Sequence, residues 1–147
     1  MSAPSRGEIV RLARGWIGTP YCHRASTKGA GCDCLGLLLG IWRERSGPRP
    51  SRLPEYGAGW SELDAGERLW TALALHLCEM PRDAELLDGQ VLLFRMRTGA
   101  AARHLGILAH GAGGDPHFIH AYERHGVIES PLSTPWRRRI VARFELV

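Results

Sequence analysis

Apolar residues recur at helical spacing through the first half of the chain and at alternating spacing through the second. Ser5-Arg6-Gly7-Glu8 is a capping box, and Ile9, Leu12, Ala13 and Trp16 follow along one helical face. Gly18-Thr19-Pro20 ends that helix. From Tyr21 to Gly31 the chain is so rich in turn formers that no regular structure is expected. Cys34 to Trp42 then presents apolar side chains on nearly every face, with Arg43 and Arg45 in the last turn and Gly47-Pro48 as the stop. That pattern predicts a central, buried helix with Cys34 at its N-terminal end. Residues 48 to 60, rich in proline and glycine, read as a loop. Ser61 to Met80 reads as a third helix, with Leu69, Leu73, Leu77 and Met80 as its core stripe and Cys78 inside it.

After Asp88-Gly89 the period changes. Gln90 to Arg97, His104 to Ala109, Phe118 to Tyr122, Val127 to Ser130 and Arg139 to Glu145 read as short strands separated by turns. Helices first and an antiparallel meander afterwards imply an α+β domain, its N-terminal helices packed on a C-terminal antiparallel sheet. No internal repeat or linker divides the chain, so residues 1–147 are read as a single domain.

Composition narrows the class. A length of 147 residues and an apolar fraction of 44% suit one globular domain with its own core. No apolar run approaches the roughly 20 residues that span a bilayer, so no membrane partner is expected. Met1 to Glu8 lacks the apolar stretch of a secretory signal, which predicts synthesis in the cytoplasm. The net charge of +4 is mostly arginine, with Arg137-Arg138-Arg139 read as part of a solvated surface strand. No interleaving of aromatic and basic residues supports nucleic-acid binding.

The four cysteines are Cys22, Cys32, Cys34 and Cys78. They do not form the two spaced pairs of a zinc site, and a reducing compartment argues against structural disulfides. One reactive thiol is the more economical reading, with redox control through Cys22 and Cys32 as a speculative addition. Cys34 is the candidate because a helix N-terminus favours the thiolate, and the same N–H groups suit an oxyanion. Gly29, Gly31 and Gly36 would let a substrate backbone come close. Downstream, His104 and His120 lie on consecutive strands about a glycine-rich turn. A turn centred near residues 112 to 113 sets position 104 opposite 120 to 121, so the two imidazoles can meet on one face. One would be the base and the other would fix its orientation and tautomer. The remaining histidines, His23, His76, His110, His117 and His125, read as surface or satisfied core side chains.

Four ordered motifs resemble those of the NlpC family of papain-like cysteine peptidases: Gly18-Thr19-Pro20-Tyr21, Gly31-Cys32-Asp33-Cys34-Leu35-Gly36-Leu37, His104-Leu105-Gly106-Ile107 and Phe118-Ile119-His120-Ala121. The resemblance runs from about residue 6 to the C-terminus. It implies a papain-like α+β fold and a Cys-His-His triad of Cys34, His104 and His120, with no metal or organic cofactor. The implied substrate is an amide bond of peptidoglycan stem peptides. Tyr21 would line the site, or simply pack in its loop. Asp33 would hold the free amine of the stem peptide, cap the helix, or do both. The Gly-Cys-Asp-Cys-Leu-Gly form and the stretch from Glu129 to Arg139 are most similar to the branch found in phage tails and gene transfer agents. That implies phage-like tail proteins as partners and action at the cell wall from a particle. Leu35 stands where many relatives carry serine, which leaves the cleaved bond open. A tail-tip structural protein with vestigial catalysis and a thiol-dependent acyltransferase on the same fold are the alternatives.

Overall fold

A computed structural model describes residues 5–46 and 67–146. The elements run α1 (Arg6–Arg14), β1 (Ser26–Thr27), β2 (Gly31–Cys32), α2 (Cys34–Ser46), α3 (Arg68–His76), β3 (Cys78–Glu79), β4 (Val91–Phe94), β5 (His104–His110), β6 (Pro116–Tyr122), β7 (Gly126–Pro131), α4 (Thr134–Arg139) and β8 (Ile140–Glu145). Six strands form one antiparallel sheet in the order β3-β8-β4-β5-β6-β7. The run β4 to β7 is the meander expected from the alternation. β8 then returns to pair with the free side of β4. Among the described helices, none is long and apolar enough to cross a membrane.

The sheet has two apolar faces because alternate side chains point to opposite sides. Val91, Leu93, Leu105, Ile107 and Ile119 face the main core, which they share with α1, α2 and α3. Leu92, Phe94, Leu108 and Phe118 face the other way, into a smaller cluster covered by Leu132 and Trp136. α2 is the centre of the main core: Leu35, Leu37, Leu38, Leu39 and Ile41 are all buried. Two of its glycines make that depth possible. A Cβ on Gly40 would stand 2.0 Å from a ring carbon of Trp16, and one on Gly36 would stand 1.9 Å from the Ala25 carbonyl oxygen. Trp16 is itself buried and its indole N–H donates to Glu44, which ties α1 to the solvent side of α2.

Several sequence expectations are corrected. The segment from Tyr21 to Gly31 is not wholly irregular: Ser26–Thr27 pairs with Gly31–Cys32 in a two-stranded ribbon. Turn formers are abundant there because the ribbon is minimal, not because pairing is absent. The third helix ends at His76; Leu77 turns extended and Cys78 is exposed on an edge strand beside Glu145. The apolar stripe through Leu77 misled the reading because one extended residue keeps Leu77 facing the core. Residues 61 to 66 of that expected helix, and the expected loop from 48 to 60, lie outside the described residues. Arg137 to Arg139 form the last turn of the short helix α4 rather than a strand. Pro135 near its start presets the helical φ, a cue that competes with the alternation beyond Ile140.

Helix propensity favours alanine over glycine by about 1 kcal/mol. At position 40 the steric term should win, because a buried indole must move. Gly40→Ala should therefore destabilise the protein by about 1–3 kcal/mol, read as a lower urea midpoint with an unchanged slope. An unchanged or higher midpoint would contradict the packing described.

Candidate active site

The site is assembled from the N-terminus of α2, the start of β5 and the ends of β6 and β7. Asp33 sets the first of these. Its Oδ1 accepts from the Gly36 N–H at 2.8 Å and its Oδ2 from the Arg24 N–H at 2.9 Å. The carboxylate thus caps α2 and holds the preceding loop against it, which is the N-cap role read from the sequence. Buried in this way, Asp33 does not line the adjoining cavity. His23 lies close by, its Nδ1 3.8 Å from Asp33 Oδ2.

Tyr21 is set by backbone pairing. Cys32 donates to the Pro20 carbonyl at 3.0 Å and Cys22 donates to the Cys32 carbonyl at 3.0 Å, so Tyr21 is clamped beside β2. The loop before it is tied to β7, where Gly18 donates to Val127 and Val127 to Thr19. Tyr21, Cys34 and His104 line one cavity of about 500 Å³, with Arg97, Arg103 and Tyr122 among its other walls. Two of the three glycines named from the sequence do a different job from the one expected, while Gly29 faces open space. Gly36 is covered by Ala25 and Gly31 faces Cys22, so both serve internal packing rather than substrate approach.

The histidines meet, though not in the register expected. β5 and β6 pair as Ile107↔Ile119 and Leu108↔Phe118. Extending that register sets residue 104 opposite 122 and 106 opposite 120. His104 and His120 are diagonal neighbours on one face, with His104 Nε2 2.9 Å from His120 Nδ1. The absent side chain at Gly106 makes room: a Cβ there would lie 2.9 Å from the Phe118 ring and 3.3 Å from the His120 Cβ. His120 is fully buried, stacked on Phe118 at a centroid distance of 4.1 Å, and its Nε2 is 2.9 Å from Ser130 Oγ. Trp136 closes the face, with centroid distances of 5.8 Å to His104 and 5.4 Å to His120.

Ser130 is the functional candidate that the sequence reading missed. It lies on the same sheet face as His120, one diagonal step across the β6–β7 pairing, where Phe118 faces Ser130. A two-strand register through the turn at Glu123-Arg124-His125 would have found it. The histidines left aside do have structural partners: His110 bonds Asp88, and His117 lies between Asp115 and Glu129.

Electrostatics hold the site neutral at rest. Burial pushes the Cys34 thiol up to about 12, and the nearby Asp33 charge adds to this. The backbone N–H groups of Leu105, Leu35 and Cys34 oppose the shift by facing the sulfur. The thiol itself donates to the Arg103 carbonyl at 3.4 Å. Burial lowers His104 to about 4, and burial with the neighbouring His104 lowers His120 to about 3. Both imidazoles are therefore in the basic form over the whole neutral range, while the thiol keeps its proton. The difference in thiolate absorbance between wild type and Cys34→Ala should accordingly be near zero at pH 7 and rise only in strong alkali. A full thiolate signal at neutral pH would overturn this account of the resting site.

No family model matches the chain. Over 135 residues it is 28% identical to the murein DD-endopeptidase MepS/murein LD-carboxypeptidase of Escherichia coli strain K12, a match that takes in 91% of this chain. The chain spans 59% of the length of the curated relatives it matches. Among solved structures, it superposes on the NlpC/p60 domain of the peptidoglycan hydrolase SagA with a TM-score of 0.62 and 21% identity, covering 97% of this chain and 100% of that one. It also superposes on a Staphylococcus aureus Mu50 protein, similar to lipoprotein, of the NLP/P60 family, with a TM-score of 0.62 and 16% identity. That match covers 100% of this chain and 45% of the other. The helices, the six-stranded sheet and these superpositions agree: the chain has the NlpC/p60 fold.

Proposed function

We propose that this protein is a cysteine peptidase that hydrolyses an amide bond of peptidoglycan stem peptides. The observation that carries the reading is that Cys34 and His104 line the same cavity, with His104 backed by His120. The likeness to the murein endopeptidase MepS supports peptidoglycan as the substrate class, and the SagA domain supports the fold.

Cys34 is the nucleophile. Its thiol passes its proton to His104 as the sulfur attacks the scissile carbonyl carbon, so the tetrahedral intermediate forms without a free thiolate beforehand. His104 then returns the proton to the leaving amine, and water hydrolyses the thioester. The hydrogen-bond chain selects the tautomers. Since His104 Nε2 is engaged by His120, only Nδ1 is left to accept from the thiol. That requires Nε2–H of His104 to donate to His120 Nδ1, and Nε2–H of His120 to donate to Ser130 Oγ. The reverse chain would put a proton on His104 Nδ1 and leave no base. His120 and Ser130 are therefore positioning residues, with Ser130 acting through His120. Tyr21 borders the nucleophile in the same cavity. Asp33 acts first as the helix cap; amine binding would require its carboxylate to exchange the Arg24 N–H for substrate.

Mass spectrometry of purified peptidoglycan digested under reducing conditions tests the reaction. Wild type should release fragments cut at one stem-peptide amide, and Cys34→Ala should release none. His120→Ala should lower kcat/KM by roughly 10²-fold or more, the scale of losing an oriented general base. Ser130→Ala should cost less than about tenfold, since one neutral hydrogen bond is worth about 1 kcal/mol. Equal losses for His120→Ala and Ser130→Ala, or fragments from Cys34→Ala, would sink the assignment.

The reading extends to carriage on a phage-like tail, supported by the motif form around Cys34 and by the stretch from Glu129 to Arg139. Antibody against the chain should label particles purified from an induced culture of its host. Detection only in the soluble cell fraction would remove this extension.

A further inference from the structure

A second cavity, of about 320 Å³, opens on the α4 face of the sheet and shares no lining residue with the candidate active site. Its walls include Arg82 and Asp83 from the loop after β3, Arg137 from α4, and Arg143 from β8. Arg143 pairs across from Leu92, which sets it on the same sheet face as the Trp136 cluster. It is only 4% exposed. One guanidinium nitrogen, Nη2, donates to the carbonyls of Pro81, Arg82 and Ala84 and so pins the loop. The other, Nη1, is buried with no acceptor among the described residues. Within the ion-pair limit of 4 Å, no described carboxylate reaches Arg82, Arg137 or Arg143.

This arrangement is costly as it stands. A buried guanidinium hydrogen-bonded only to carbonyls keeps its charge without a direct ion pair. Burial pulls Arg143 below the usual arginine range, Asp83 offsets part of this, and Arg137 adds repulsion. Three guanidinium groups against the single carboxylate of Asp83 leave a local excess of two positive charges. Planar guanidinium forks match the oxygens of tetrahedral oxyanions.

We infer that this cavity is a binding site for a dianionic oxyanion of the phosphate class, held by Arg82 and Arg137 at its walls with Arg143 supplying charge from beneath. The site is separate from the peptidase reading and stands without it. The ion is either free phosphate or a phosphoryl group borne on a polymer. Because α4 carries both Arg137 and the Trp136 that covers His104 and His120, occupancy would also brace the wall behind the histidine pair.

Thermal melts at fixed ionic strength test the inference, with inorganic phosphate, sodium acetate, sodium chloride and poly(glycerol phosphate) as probes. Phosphate should raise Tm saturably, while acetate and chloride at equal ionic strength should not. Stabilisation by the polymer as well as by phosphate would assign a polymer-borne group, and by phosphate alone a free ion. Arg137→Gln and Arg82→Gln are surface changes that should leave the fold intact and weaken phosphate binding at least about tenfold each, the value of one charge-assisted contact. Arg143→Lys, which keeps the charge, should weaken it less than Arg143→Met. Equal shifts in phosphate and chloride, equal shifts with acetate, or undiminished phosphate binding in the Arg82→Gln/Arg137→Gln double variant would overturn the site.

Discussion

The seating of α2 against the sheet is the constraint on which the rest depends. A helix that is apolar all round can only be stable if every side of it is covered. Here the sheet covers one side, α1 and Trp16 another, and the Ala25 loop a third. Gly36 and Gly40 are the points of closest approach, each filled by a neighbour's atoms rather than by its own. With the helix axis held this tightly, its first residue has one possible location. That residue is Cys34, and the Asp33 cap fixes the turn that presents it. The Cys34 thiol is thus positioned chiefly by the packing of α2 into the core.

The histidine pair depends on a different kind of fit. Two strands bring two imidazoles to one face, but direct cross-strand opposition would stack them side by side. The diagonal placement turns one ring edge-on to the other, with an interplanar angle of 79° and a centroid distance of 5.0 Å. Gly106 supplies the gap that permits it, and Phe118 and Trp136 close the face over the buried His120 while His104 borders the cavity. Desolvation is also what lowers both imidazoles and keeps them uncharged. One apolar cluster therefore does two things: it stabilises the outer face of the sheet, and it sets the protonation state of the pair.

Taken together, the two features explain a resting site without charge. Neither the thiol nor the imidazoles gain enough from neighbours to ionise while buried, although backbone N–H groups already face the sulfur. In the proposed reaction, attack on a substrate carbonyl carbon would send the thiol's proton to His104. Coupling proton transfer to attack in this way limits reaction of the thiol with unrelated electrophiles.

The sequence by itself determined the order of α1, α2 and the strands β4 to β8, the burial of the segment from Cys34 to Trp42, the helix-end position of Cys34 and the Asp33 cap. These are local properties, written in periodicity, capping residues and stop signals. It also yielded His104 and His120 as a pair, because a hairpin is close to a local object. Only the tertiary structure decided the register that makes them diagonal neighbours, since a shift of two positions leaves the alternation unchanged. The same holds for Ser130, for the end of α3 before Cys78, and for α4, whose place rests on Trp136 finding the far face of the sheet. The burial of Arg143 beside two other arginines was equally out of reach. Its neighbours come from residues some sixty positions apart in the chain, as the 62-residue separation of its bond to Pro81 illustrates. A pattern of single residues carries no information about contacts made at that distance.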